Sequence, residues 1–175
     1  MSIEDDIMAE AVHRGLQMAM TVKHIKDSNR IEGITIEPTS GDIAEWNRFM
    51  ELEEVAVNDL CQFVYVHAGA EHRLRNRTSD CHRVGSHILN GGPQIEMHLQ
   101  ELLEDINMDR IDVYHAHIEY ELLHPFTDGN GRSGRVLWHW HMRLKYGLDY
   151  NALTSIGFLH RFYYQSIKFA QPLSK

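Results

Sequence analysis

Apolar residues recur along most of this chain at the spacing of a helix face, and strand-like alternation is confined to one short stretch. Ile3, Ile7, Met8, Ala11, Met18, Val22 and Ile25 form the first such face and predict a helix running to about Asp27 despite Gly15. Glu4, Asp5 and Asp6 suit the positive end of its dipole, and Lys23, His24 and Lys26 the negative end. Its methionines are assigned to the core, with the interface of a homo-oligomer as the alternative use. Ile34-Thr35-Ile36 is too short to assign, and Pro38 interrupts it. From Thr39 or Ser40 a capped segment opens with Ile43, Trp46 and Met50, followed by Val57, Leu60, Cys61 and Val64. These read as one long or two short core helices ending near Gly69. Phe63 to Val66 would pass for a strand in isolation, but the periodicity around it favours helix.

The stretch from Arg73 to Arg83 is polar and irregular. Its charge run, Arg73, Arg75, Arg77 and Arg83, reads as a solvated loop, with a target- or nucleic-acid-binding patch as the alternative. Val84 to Pro93 has β-hairpin chemistry, short alternating apolar residues ending in Asn90-Gly91-Gly92. A helix follows from Gln94 to about Ile106 through Ile95, Met97, Leu99, Leu102 and Leu103, and another through Ile111, Tyr114, Ile118 and Leu122. Val136, Leu137, Trp140 and Leu144 mark a further helix up to Gly147, and Leu159, Phe162, Tyr163 and Ile167 a closing one over Ile156 to Ala170. The tyrosines of that last segment are read as core, with the lining of an adenine pocket as the other use.

At 175 residues, 43% hydrophobic and 24% charged, the chain suits one globular domain with an appended helix. Its net charge of −8 argues against a broad nucleic-acid or anionic-membrane surface, so neither partner is expected. Cys61 and Cys81 form no C-x-x-C pair, and with no signal peptide or membrane-spanning apolar run in view the cytoplasm is the expected location. The 13 histidines do not change this picture: His115 and His117, like His139 and His141, are two apart and diverge on a helix, which is not zinc spacing.

Between the last two of those helices before Gly147 lies a stretch that is poor material for packing, His124-Pro125-Phe126-Thr127-Asp128-Gly129-Asn130-Gly131-Arg132-Ser133-Gly134-Arg135. Pro125 stops the helix before it and leaves His124 at a helix end facing a loop. Gly129, Gly131 and Gly134 allow tight turning and close approach of a ligand to the backbone. The loop opens directly into a helix N-terminus, where unpaired N–H groups and the dipole favour a phosphate. Arg132 and Arg135, three apart, add forked donors, Asp128 is a hard-oxygen ligand for magnesium beside that anion site, and His124 can take a proton from a hydroxyl. Together these point to phosphoryl or nucleotidyl transfer. Gly129-x-Gly131-x-x-Gly134 also satisfies the dinucleotide fingerprint, but a helical pattern precedes it and Asp149 falls short of the acidic position that fingerprint needs. A solvated turn with a capping Asp accounts for the glycines and leaves His124, Asn130 and both arginines unexplained.

The stretch resembles the Fic signature, His-Pro-Phe-x-Asp/Glu-Gly-Asn-Gly-Arg-x-x-Arg, and matches it at every specified position. The resemblance implies an all-α helical bundle with a small β-hairpin flap, residues 36–175 forming the core after an N-terminal helix over residues 1–35. It implies a protein adenylyltransferase that moves AMP from ATP, with Mg²⁺, to a Ser, Thr or Tyr hydroxyl of a protein, including itself as a candidate. In that reading His124 deprotonates the hydroxyl and Asp128 holds Mg²⁺. Gly129, Asn130 and Gly131 line the anion hole, while Arg132 and Arg135 neutralise the departing pyrophosphate. Val84, Gly85, Ser86, His87 and Ile88 fall where the family's flap aligns the target by adding a strand. His117, ahead of the signature, is read as a core or hydrogen-bonding residue and not as a catalyst.

Ser28-Asn29-Arg30-Ile31-Glu32-Gly33 resembles the family's inhibitory motif, Ser/Thr-x-x-x-Glu-Gly/Asn, placed before the core. By that resemblance Glu32 pairs with Arg135 and blocks seating of the γ-phosphate. Ser28 as a helix cap, Glu32 as a surface charge and Gly33 as a helix stop is the plainer account. Other readings of the whole chain are a catalytically silent binding module stabilised by nucleotide, or a family enzyme that uses another donor or removes AMP.

Overall fold

The computed structural model describes residues 3–84 and 87–147; the closing helix expected over residues 156–170 and its tyrosines lie outside them. Six helices and one hairpin are described: α1 (Ile3–Ile31), α2 (Ser40–Met50), α3 (Val57–His67), β1 (His82–Val84), β2 (His87–Leu89), α4 (Gln94–Asn107), α5 (Val113–Leu123) and α6 (Asn130–Tyr146). The fold is an all-α bundle with a small hairpin, as the periodicity predicts.

The bundle is arranged around α6. From Arg132 to Met142 every residue of that helix is buried, polar ones included, because α1, α2, α3 and α5 all pack against it. Phe49 of α2, Leu60 and Phe63 of α3, Leu99 and Ile106 of α4, Tyr120 of α5, and Val136 and Trp140 of α6 form one core. Each such side chain contributes roughly 1.5–3 kcal/mol on burial, so the scaffold holding the ends of α1, α5 and α6 is a stiff one. Two short helices, not one long one, fill residues 40–67. Thr39 caps α2, its hydroxyl accepting the Asp42 N–H while the Asp42 carboxylate accepts the Thr39 N–H at 2.7 Å. Asp59 accepts the Ala56 N–H at the start of α3.

Five expectations are corrected by the structure. Helix α1 runs on to Ile31, past Asp27, because Ser28 is not a cap but a buried residue inside the helix. The methionine stripe of α1 is not core: Ile7, Met8, Val12, Leu16 and Met18 are exposed, and only the stretch containing Thr21, Ile25 and Ser28 docks. Length explains this for Ile7 and Met18, which lie on the docking side of the helix. At about 1.5 Å per residue α1 is about 44 Å long and α6 about 26 Å. The two run antiparallel, with Ser28 against Arg135 and His24 against His139, so α1 outruns its partner towards its own N-terminus.

The hairpin pairs His82 with Leu89, Arg83 with Ile88 and Val84 with His87, so the connection is Gly85-Ser86, outside the described residues, and not Asn90-Gly91-Gly92. Gly91 instead backs onto the preceding loop, where a Cβ would lie 2.7 Å from the Asp80 carbonyl oxygen and 2.8 Å from that of Arg75. In α5 the buried face is Val113, Ala116, His117, Tyr120 and Glu121, whereas Tyr114 is exposed. Lastly, the arginine run is not uniformly solvated: Arg73 pairs with Asp80, and Arg75 is 1% exposed.

Candidate functional site

The loop between α5 and α6 is held from three directions. Asp112 caps α5, whose last turn ends at Leu123, and His124 follows in the left-handed region at φ 48° with its N–H still bonded to the Tyr120 carbonyl. Phe126 forms a bridge to Leu74, the Arg75 N–H donating to the Pro125 carbonyl and the Thr127 N–H to that of Arg73, each at 2.8 Å. Asn130 closes the loop on itself: its amide oxygen accepts the Phe126 N–H at 2.7 Å, and its amide nitrogen donates to the Phe126 carbonyl at 2.8 Å. Gly129, at φ 81°, then turns the chain into α6, and a Cβ there would lie 2.8 Å from the Ala68 Cβ. Among the described residues no side chain caps α6, so its first-turn N–H groups face the loop at the positive end of the dipole.

His124 stacks on His82 of β1 with ring centroids 4.9 Å apart. Burial, and after it the neighbouring His82 and Arg75, push its pKa down to about 4, so the imidazole is neutral at pH 7. Asp128 keeps its carboxylate largely in solvent, accepting the Gly129 N–H at 2.6 Å, with His72 Nε2 at 3.7 Å and an Arg132 nitrogen at 3.9 Å. A single carboxylate beside a helix N-terminus fits the way magnesium is usually held, by one or two carboxylates plus substrate phosphates. Among the described residues no group of three or more His, Cys, Asp or Glu forms a metal cluster. Arg132 is buried, and its guanidinium donates to the His67 carbonyl at the end of α3.

Arg135 meets α1. Its Nε donates to Ser28 Oγ at 2.8 Å, and its Nη2 donates to the Ser28 carbonyl at 3.1 Å and to Glu32 Oε1 at 2.6 Å. The end of α1 is built to deliver that carboxylate. Gly33, at φ 75°, donates to the Arg30 carbonyl and Ile34 to that of Asn29, the paired bonds of a Schellman stop, which fixes Glu32 as the cap directly after the last helical residue, Ile31. The glycines of α6 have neighbours that explain them. A Cβ on Gly131 would strike the Glu32 carboxylate and one on Gly134 the Glu121 carboxylate. His117 is buried beneath, its pKa lowered to about 4 by burial and then by Arg135. In the hairpin Ile88 is exposed, Val84 and His87 lie in the paired strands, and Gly85 and Ser86 fall outside the described residues.

Arg75 is the residue that the sequence reading missed. Its Nε donates to the His124 carbonyl at 2.5 Å and its Nη2 to that of Leu123 at 3.0 Å, while Nη1 reaches the carbonyls of Asp80 at 2.7 Å and Leu89 at 3.1 Å. One guanidinium thus ties the end of α5, the loop and the hairpin together. Arg75→Ala leaves four part-buried carbonyls without this donor and is expected to destabilise the protein by ~3 kcal/mol in urea melts. Arg75→Lys, whose ammonium cannot fork across all four, should fall between. Wild-type stability in Arg75→Ala would refute the clamp.

Burial also lowers the pKa of His67 to about 4, and those of His139, His24 and His141 below the ordinary imidazole value. The unfolded chain takes up these protons near pH 6.5, where the folded one does not, so stability is full above that pH and is lost as pH falls towards 4. For His117 alone, held down to about 4, the loss by pH 4 is on the order of 3 kcal/mol. Urea melts should therefore show stability dropping from pH 6.5 downwards, less steeply in His139→Gln; a flat profile between pH 6.5 and 4.5 would contradict this.

No helix among the described residues is long and apolar enough to cross a membrane. A model of the Fic/DOC family matches residues 38–142, a span that starts after Glu32 and takes in the whole loop from His124 to Arg135.

Proposed function

The chain belongs to the Fic/DOC family, and on that premise we propose that it is a protein adenylyltransferase held inactive by its own first helix. A carboxylate already sits on Arg135, 2.6 Å from its Nη2, beside an uncapped helix N-terminus. That observation carries the reading, because it marks an anion site occupied by an anion from within the chain. Residues 1–35 would be the regulatory helix and residues 36–175 the catalytic core, a division supported by the start of the family match at residue 38.

In the reaction a target Ser, Thr or Tyr oxygen attacks the α-phosphorus of ATP. The P–O bond to the β-phosphate breaks, and pyrophosphate leaves. His124, neutral and fixed by its helix end, accepts the hydroxyl proton. The backbone N–H groups of Asn130 and Gly131 at the start of α6 bind phosphate oxygens; the Asn130 side chain, committed to Phe126, shapes the loop instead. Asp128 would hold the Mg²⁺ that accompanies ATP, and that ion supplies charge neutralisation. Arg132 and Arg135 stabilise the negative charge that builds on the leaving group. Little covalent chemistry falls to the protein in such a transfer, so a carboxylate that takes Arg135 away from the γ-phosphate stops it by misplacing the nucleotide. The hairpin, residues 82–89, offers an edge to which a target segment adds as a strand, placing its hydroxyl near His124.

The test is donor labelling of cell lysate with the Glu32→Gly protein, α-³²P-ATP and γ-³²P-ATP being run in parallel. Label from the α-phosphate alone is expected. Label from the γ-phosphate would make the protein a kinase. Its absence from both, in folded protein that binds ATP, would leave a binding module.

A further inference from the structure

We propose that the N-terminal half of α1 is a homodimerisation arm that pairs antiparallel with the same arm of a second copy. The helix docks through Thr21, Ile25 and Ser28. At roughly 100° per residue, Asp5, Met8, Val12, Leu16, Ala19, Lys23 and Lys26 all lie within about 45° of the opposite direction. Met8, Val12 and Leu16 are 70%, 58% and 62% exposed. They face away from the body of their own chain, so the packing that buries Ile25 cannot reach them.

The outward row reads acidic, apolar, apolar, apolar, small, basic from its N-terminal end to its C-terminal end. That order is self-complementary when reversed. About a two-fold axis near Arg14, Val12 of one copy meets Leu16 of the other, Met8 meets Ala19 and Met20, and Asp5 meets Lys23. The Lys23 side chain is 67% exposed and, among the described residues, bound across the helix surface to Asp27, so it can reach a second carboxylate. A parallel pair would set acidic end on acidic end. An anionic membrane or nucleic acid would meet Asp5 in that row, on a chain of net charge −8. Closed two-fold pairing is also the commonest way for a surface patch to satisfy itself. Two arms alone bury less than a standard interface, so the dimer is a weak one that forms at micromolar concentration.

Sedimentation equilibrium on the full chain decides it. The average mass should rise towards twice the monomer's as concentration goes from roughly 5 to 500 μM, the range a small interface calls for. Val12→Glu/Leu16→Glu, at exposed positions, should remain monomeric with unchanged helical content by circular dichroism. Asp5→Lys alone and Lys23→Asp alone should each weaken association, and the two together should restore it. A monomer throughout would overturn the proposal and leave the face to residues 148–175 or another partner. Association that survives Val12→Glu/Leu16→Glu, or a charge swap without rescue, would overturn it equally.

Discussion

Glu32→Gly is expected to raise AMP transfer by about one to two orders of magnitude. The estimate comes from what the variant removes. The carboxylate accepts a charge-assisted hydrogen bond from Arg135 at 2.6 Å, and bonds of that kind contribute roughly 1.5–3 kcal/mol. A brake that closes with that free energy holds back the active arrangement by about 10- to 150-fold. Glu32 is more than a third exposed, and water screens part of the interaction, which places the expected value towards the lower half of that range. Gly33 and its Schellman bonds remain in the variant, so α1 keeps its stop. Ser28 keeps its own hold on Arg135 at 2.8 Å, so the helix stays docked and the gain comes from freeing the anion site, not from unfolding. Ser28→Ala should therefore activate less than Glu32→Gly. The measurement is initial rate of α-³²P incorporation at matched protein concentration, and equal rates in wild type and Glu32→Gly would remove the inhibitory assignment.

The parts of this site that were legible in the sequence are local ones. The loop from His124 to Arg135 is twelve consecutive residues, and its glycines, proline and arginines act through their own backbone or through a helix end beside them. Gly33 is likewise readable, since a helix stop is decided within six residues. Arg75 is not. It sits 49 residues before the His124 carbonyl that it binds, in a stretch whose polarity matches that of a solvated loop. Its burial is produced by α5, the hairpin and the signature loop closing over it. The same limit explains α5. His117 and Glu121 are buried, so the apolar period alone pointed to Tyr114 and Ile118, one step round the helix from the true face. In α1 the failure is of the opposite kind. Its apolar period predicts the helix, but periodicity does not say whether a partner is long enough to cover it, and α6 is not.

His124→Ala, made in the Glu32→Gly protein so that the brake is already off, is expected to lower transfer by 10²- to 10⁴-fold, the usual contribution of a positioned general base. The loss should fall on kcat, with nucleotide affinity little changed, because in the proposed mechanism the phosphates are bound by α6 and its arginines and not by the imidazole. Loss of fold is not the cause expected: the residue is a helix end whose backbone Arg75 and Tyr120 hold from outside the side chain. A second signature separates a base from a merely structural histidine. The imidazole is pushed down to about 4, by burial first and then by His82 stacked 4.9 Å away, so in Glu32→Gly the acid limb of kcat/KM should lie near pH 4 and not near 6.5. His82→Ala removes one of the causes of that depression, so the limb should move upward while the protein stays folded. The sign follows from the charge: without a second imidazole against it, the protonated form of His124 is less penalised, and the base is lost at a higher pH. An acid limb that does not move in His82→Ala, or a His124→Ala protein with undiminished kcat, would take the proton transfer away from this histidine.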